Sequence, residues 1–119
     1  MQNFIQPGDT INVACTHPTT PASGNPVRIG TFCGVAVTDE SAGGNATGET
    51  TVLTEGVVNV SVKGVNGSGN SAVAVGDKIY YTDADTPVLA KKSTGTLFGY
   101  ALSTVGSGST ATIAVLLAN

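Results

Sequence analysis

A β unit is written twice along this chain, and that doubling constrains the fold more than any other feature. Gly8-Asp9-Thr10-Ile11-Asn12-Val13 returns in outline as Gly76-Asp77-Lys78-Ile79-Tyr80-Tyr81. Gly30-Thr31-Phe32-Cys33-Gly34-Val35-Ala36-Val37-Thr38 returns as Gly95-Thr96-Leu97-Phe98-Gly99-Tyr100-Ala101-Leu102-Ser103. From Gly8 to Gly30 is a step of 22 residues and from Gly76 to Gly95 one of 19, so order and spacing are kept as well as letters. In each copy a glycine supplies the turn, and the aspartate beside it accepts backbone N–H bonds where the strand begins. A second glycine, Gly34 or Gly99, then marks a bulge or a close backbone approach inside the later strand. The doubling predicts paired strand starts within a self-packing β module, and neither copy carries a chemical constellation.

The 119 residues fit one domain and suffice for a single modest core without a metal or a disulfide. Charged residues make up 11% of the chain, against about 25% in an average soluble domain, while apolar residues are 40%. The solvated face is therefore built from Thr, Ser, Asn and backbone, which favours sheets and turns over helices laced by ion pairs. A surface so poor in charge suits close packing against another protein. The net charge is -3 and the five basic residues are scattered, with Lys91-Lys92 the one adjacent pair. Nucleic acid is not an expected partner, because the basic stripe it needs is missing. No apolar run approaches a membrane span. The polar Gln2-Asn3 and Gln6-Pro7-Gly8-Asp9 do not read as a signal peptide, which predicts a protein made in the cytoplasm.

Residues 1–6 form a short N-terminal arm whose large apolar groups are Phe4 and Ile5. A first repeat-like unit spans 8–38, with strands expected over 10–15, 27–29 and 32–38 and a proline-containing loop over 17–26. In the 32–38 strand both faces are apolar or tiny, which predicts burial on both sides. A hairpin or meander is expected over 49–63 around Thr54-Glu55-Gly56, with Val58, Val60 and Val62 on one face. The Gly- and Asn-rich stretch 64–71 must turn. A second unit spans 76–103, and a closing strand over 110–117 puts Ala111, Ile113, Val115 and Leu117 on one face. All convincing elements are strands. The expected fold class is all-β, a single small compact antiparallel barrel or sandwich with an internal pseudo-repeat. Whether the copies form halves of one barrel or two facing sheets stays open.

Few residues offer chemistry. Asp9 and Asp77 are a carboxylate pair on a functional reading, but the Gly-Asp turn explains both without a further partner. Asp83 and Asp85, with Thr82 and Thr86, bring several oxygens into one loop yet lack the terminal bidentate Glu of a calcium loop. His17 has no acid or nucleophile beside it in sequence, and no glycine-rich stretch is followed by the Lys-Ser or Lys-Thr of a phosphate loop. Cys15 and Cys33 sit in apolar stretches as buried free thiols, and a single His with no Cys-x-x-Cys leaves zinc without a ligand set. No catalytic residue, metal or cofactor is expected. Tyr80, Tyr81 and Tyr100 are the candidates for recognition, because adjacent Tyr80 and Tyr81 face opposite sides of a strand and one of them reaches a surface or interface.

Asn3-Phe4-Ile5-Gln6-Pro7-Gly8-Asp9-Thr10-Ile11, Ile29-Gly30-Thr31-Phe32-Cys33-Gly34-Val35-Ala36 and Val75-Gly76-Asp77-Lys78-Ile79-Tyr80-Tyr81 together resemble a family of small tailed-phage and prophage proteins regarded as capsid cement or decoration proteins. The likeness continues through 95–101 and 112–117, so it covers nearly the whole chain in order. No detail carries over at 66–71 or in the loop 18–26. The resemblance implies an all-β protein on the outer capsid surface of the virion that bridges major capsid proteins, with a homotrimer as the preferred state. The contact residues expected on this reading are Phe4, Ile5, Tyr80 and Tyr81. Other readings the residues allow are a different virion part, such as a head fibre base or tail-associated module, and a host-surface or carbohydrate-binding β module.

Overall fold

The computed structural model describes residues 10–18, 20–39 and 48–118. Among them there is no helix, and eleven strands follow one another along the chain. The first four, β1 (Thr10–Val13), β2 (Pro26–Ile29), β3 (Phe32–Ala36) and β4 (Thr50–Leu53), form an antiparallel sheet in the order β1-β4-β3-β2. Five later ones, β5 (Val57–Lys63), β8 (Lys78–Tyr81), β9 (Leu89–Ala90), β10 (Thr96–Ala101) and β11 (Thr110–Leu117), close into a barrel in the order β10-β11-β5-β9-β8. β6 (Val65–Asn66) and β7 (Gly69–Asn70) make a small hairpin beside it. The fold is all-β, as the alternation required.

Local chemistry explains the elements. β2 and β3 pair from Pro26↔Val35 to Ile29↔Phe32, and Gly30, at φ 60°, turns the chain between them in the left-handed region that a two-residue hairpin requires. In β5, Val60 and Val62 are buried while Val57, Asn59 and Ser61 are exposed, the period of a barrel wall with one face inward. β11 alternates in step, with Ile113, Val115 and Leu117 buried.

The barrel interior is the main core. Ile79, Tyr81, Leu89, Phe98, Val62 and Val115 are each at most 2% exposed, and each such side chain contributes roughly 1.5–3 kcal/mol on burial. Cys33 and Val35, on one face of β3, join this core and so dock the four-stranded sheet onto the barrel. The opposite face of the same sheet buries Val27, Ala36 and Val52, with Ile11, Val13, Cys15 and Ile29 packed against them. β3 is thus covered on both sides, as its two apolar faces demand. The two thiols belong to different clusters and no disulfide joins them; Cys33 is buried as expected, whereas Cys15 is only partly buried.

The pairing corrects one sequence expectation and settles two further features of the topology. The 49–63 stretch is not a hairpin or meander: β4 pairs with β1 and β3, whereas β5 pairs with β11 and β9. The reason is length, since seven-residue β5 matches β11 along its whole extent, from Lys63↔Thr110 to Val57↔Leu116, and four-residue β4 offers less; Gly56, at φ 105°, carries the chain across. The two repeat copies are neither halves of one barrel nor alike in their pairing. In the second, β8 and β10 are hydrogen-bonded neighbours, but in the first β4 is inserted between β1 and β3. Finally, not every pairing is antiparallel, because β5 and β9 close the barrel through a parallel contact at Val62↔Leu89.

Candidate functional site

The turn residues sit at close approaches and special backbone angles. Gly76 has φ 91°, and its N–H donates to Ala101 O at 2.7 Å. The Asp77 carboxylate accepts the Ala74 N–H at 2.8 Å and lies 3.1 Å from Lys91 Nζ. The Ala74 N–H, and then Lys91, hold the Asp77 carboxyl below the ordinary carboxylate range. A Cβ at Gly34 would lie 2.5 Å from Leu53 O, and one at Gly95 would lie 2.5 Å from Tyr81 O. A Cβ at Gly99 would overlap Leu116 O, next to a bulge that places Phe98 between the Leu97↔Tyr80 and Gly99↔Ile79 pairs. Gly8 and Asp9, like Phe4 and Ile5, lie outside the described residues.

The adjacent tyrosines part company. Tyr81 is 2% exposed and points into the barrel, so its ring is not available as a contact; Tyr80 is half-buried on the outer face. The Tyr81 hydroxyl lies 2.7 Å from His17 Nδ1 and donates to His17 O at 3.2 Å, an arrangement that is satisfied when Nδ1 carries the ring proton. Beside it, Arg28 grips Asp83 with two parallel bonds, Nε to Oδ1 at 2.9 Å and Nη2 to Oδ2 at 2.7 Å. These contacts tie β2 and the loop before it to the end of β8. The Arg28 guanidinium holds the Asp83 carboxyl below its ordinary value. Burial pushes the Cys33 thiol up to about 12 and raises the Tyr81 hydroxyl, so both stay protonated at neutral pH and neither is poised as a nucleophile.

The loop carboxylates do not converge on a shared point. Asp83 belongs to Arg28, and Asp85 lies 2.6 Å from Lys92 Nζ. Among the described residues, no group of three or more His, Cys, Asp or Glu side chains is placed to hold a metal ion.

What the barrel does present is an apolar row on its outer wall. Val57 on β5 stands opposite Leu116 on β11, Leu116 opposite Tyr100 on β10, and Tyr100 opposite Lys78 on β8. At the spacing of neighbouring strands the apolar part of this row, from Val57 to Tyr100, is ~10 Å long, and exposed Lys78 ends it. Val57 is 57% exposed and Leu116 41%, and Leu102, just past the end of β10, is 42% exposed. Large apolar side chains adjoining on a rigid wall mark an interaction surface far better than the same residues scattered singly. Of the sequence candidates among the described residues, Tyr80 and Tyr100 lie on the outer wall. Val57, Leu102 and Leu116 were legible as outward-register residues of apolar type, a signal that alternation supplies but that inward-facing residues overshadow.

A family model described as phage cement protein matches residues 5–117 of the chain. Searches of curated proteins and of solved structures return no match.

Proposed function

The chain belongs to the phage cement protein family, a family of structural proteins associated with the phage capsid, and from that premise we propose that it attaches to the outer surface of the assembled head and bridges neighbouring major capsid proteins. The observation that carries the bridging role is the outer barrel wall, where Val57, Tyr100, Leu102 and Leu116 offer an apolar face, bordered by Lys78, to a partner. A closed barrel has no free strand edge there to extend, so it binds through side chains. Tyr80, outward and half-buried, is a further contact, and Phe4 and Ile5 of the arm are contacts on the same reading.

Cementing needs no catalysis. A protein that binds the mature shell and not its separated subunits stabilises the shell by mass action, by about 2.7 kcal/mol at a hundredfold excess over Kd. Several contacts per oligomer raise avidity, and a homotrimer is the preferred state. The protein is made in the host bacterial cytoplasm and resides on the virion capsid.

The test uses purified heads assembled without the protein. Added wild-type protein is expected to co-sediment with the heads and to raise their disruption temperature. Deletion of residues 2–6 is expected to lower occupancy while leaving the free fold intact. Heads that take up no wild-type protein overturn the proposal; unchanged occupancy of the truncated form removes the arm from it.

A further inference from the structure

Beside the barrel, a cleft of about 310 Å³ opens between the β6–β7 hairpin and the loop joining β8 to β9. Its walls include Lys63, Asn66, Asp85 and Lys92, and Val65, Pro87 and Ala90 contribute apolar surface. Gly67 and Gly69 belong to the lining as well, so part of the rim is bare backbone. The volume lies at the small end of the range of ligand sites, enough for one or two side chains and not for a folded element.

The charges within it are unequal. Arg28, Lys91 and Lys92 are each paired with an aspartate, whereas Lys63 forms no ion pair among the described residues. Lys92 is held by Asp85 at 2.6 Å, so the lining carries two lysines and one aspartate. The site is therefore locally positive on a chain whose net charge is -3. A positive concavity walled by low-dielectric side chains focuses attraction on an anion. The adjoining apolar lining accommodates an aliphatic stem, and the bare backbone beside it allows close approach of an extended chain.

We propose that this cleft binds an acidic side chain, Asp or Glu, of an extended peptide segment belonging to a shell subunit, with Lys63 as the residue that meets the carboxylate. The shell as the source of that segment rests on the cement reading above; the preference for an acidic peptide rests on the cleft alone. Lys63 stands at the end of β5 away from Val57, so this site and the apolar row lie at different places on the same strand. Two distinct contacts are what a bridging protein requires.

The cleft is tested first without heads. A blocked Ala-Glu-Ala-Glu-Ala peptide, its Gln counterpart and sodium acetate at equal carboxylate concentration are titrated into the full chain and followed by amide chemical shifts. The Glu peptide is expected to move resonances of Lys63, of 65–69 and of 85–92, the Gln peptide and acetate to move them far less, and Lys63→Gln to abolish the response. Equal shifts with the Gln peptide overturn the charge recognition, equal shifts with acetate make the site one for free anions, and shifts confined to another surface overturn the site. On heads, Lys63→Glu is expected to bind about tenfold more weakly at low salt, with the difference shrinking as salt rises, and Lys63→Arg to bind as wild type. If Lys63→Glu binds heads like wild type, the cleft has no part in attachment although the cement reading stands. If wild type itself does not bind heads, the cement reading fails and the shell as source of the segment falls with it, while the peptide titration still decides the cleft.

Discussion

Gly34 and Gly99 hold the same place in the two repeats and meet the same obstacle, a carbonyl oxygen of the neighbouring strand: Leu53 O for one and Leu116 O for the other. Alanine at either position forces backbone apart inside a packed sheet, at a cost of about 1–3 kcal/mol, read as a lowered urea midpoint. Gly30 has open space around its Cβ position and is required by its φ of 60° instead, so Gly30→Ala costs about 1 kcal/mol through backbone strain. Unchanged midpoints for both Gly34→Ala and Gly99→Ala would remove close approach as the reason for the repeated glycine. Asp77 and Asp83 supply a pH dependence at the same scale. Both carboxyls lie below their ordinary value in the folded chain, Asp77 through the Ala74 N–H and Lys91 and Asp83 through Arg28. Their stabilisation is therefore fully present above the unfolded carboxyl value near pH ~4 and is lost as pH falls through the folded values. The melting temperature is expected to fall with acidification in that range, and less steeply in an Asp77→Asn, Asp83→Asn double variant; an equal slope in wild type and variant would assign the effect to other groups.

Strand positions were legible in the sequence because alternation is local, and strand partners were not because pairing is a competition between distant segments. The second arm of the hairpin expected over 49–63 is present as β5, yet its partner is β11 and not β4, since β11 satisfies its whole length. The two repeats read alike and pair differently, because Thr50–Leu53 enters one of them as a middle strand. For Tyr80 and Tyr81 the period of a strand fixed that they point apart; which of them turns inward depends on where β8 sits in the closed barrel. The cleft was not legible at all, since it joins 63–69 to 85–92 across the fold. Within β11, adjacent Leu116 and Leu117 separate surface from core, at 41% and 5% exposed. Leu116→Asp is expected to change stability by less than about 1 kcal/mol while weakening attachment to heads about tenfold. Leu117→Asp buries an unpaired charge and is expected to cost about 3–5 kcal/mol. Head binding unaffected by Leu116→Asp would show that the outer wall is not the contact.

The whole molecule is a four-stranded sheet set against a closed barrel. Cys33 and Val35 share the barrel core, and the His17–Tyr81 and Arg28–Asp83 contacts fasten the junction from outside. An exposed ion pair contributes at most about 1 kcal/mol, so the shared core holds the two parts and the polar contacts set their register. That construction gives a firm body with an apolar row on its wall and a separate positive cleft, a plan suited to touching more than one neighbour. The central claim is that the protein sits outside the shell and joins capsid subunits. Cryo-electron microscopy of particles carrying it tests this most directly. The account predicts density for the β domain on the outer capsid surface, contacting two or more major capsid proteins, with the Val57–Leu116–Tyr100 wall at a contact. Density confined to the tail, or touching a single capsid subunit with that wall facing solvent, would contradict it.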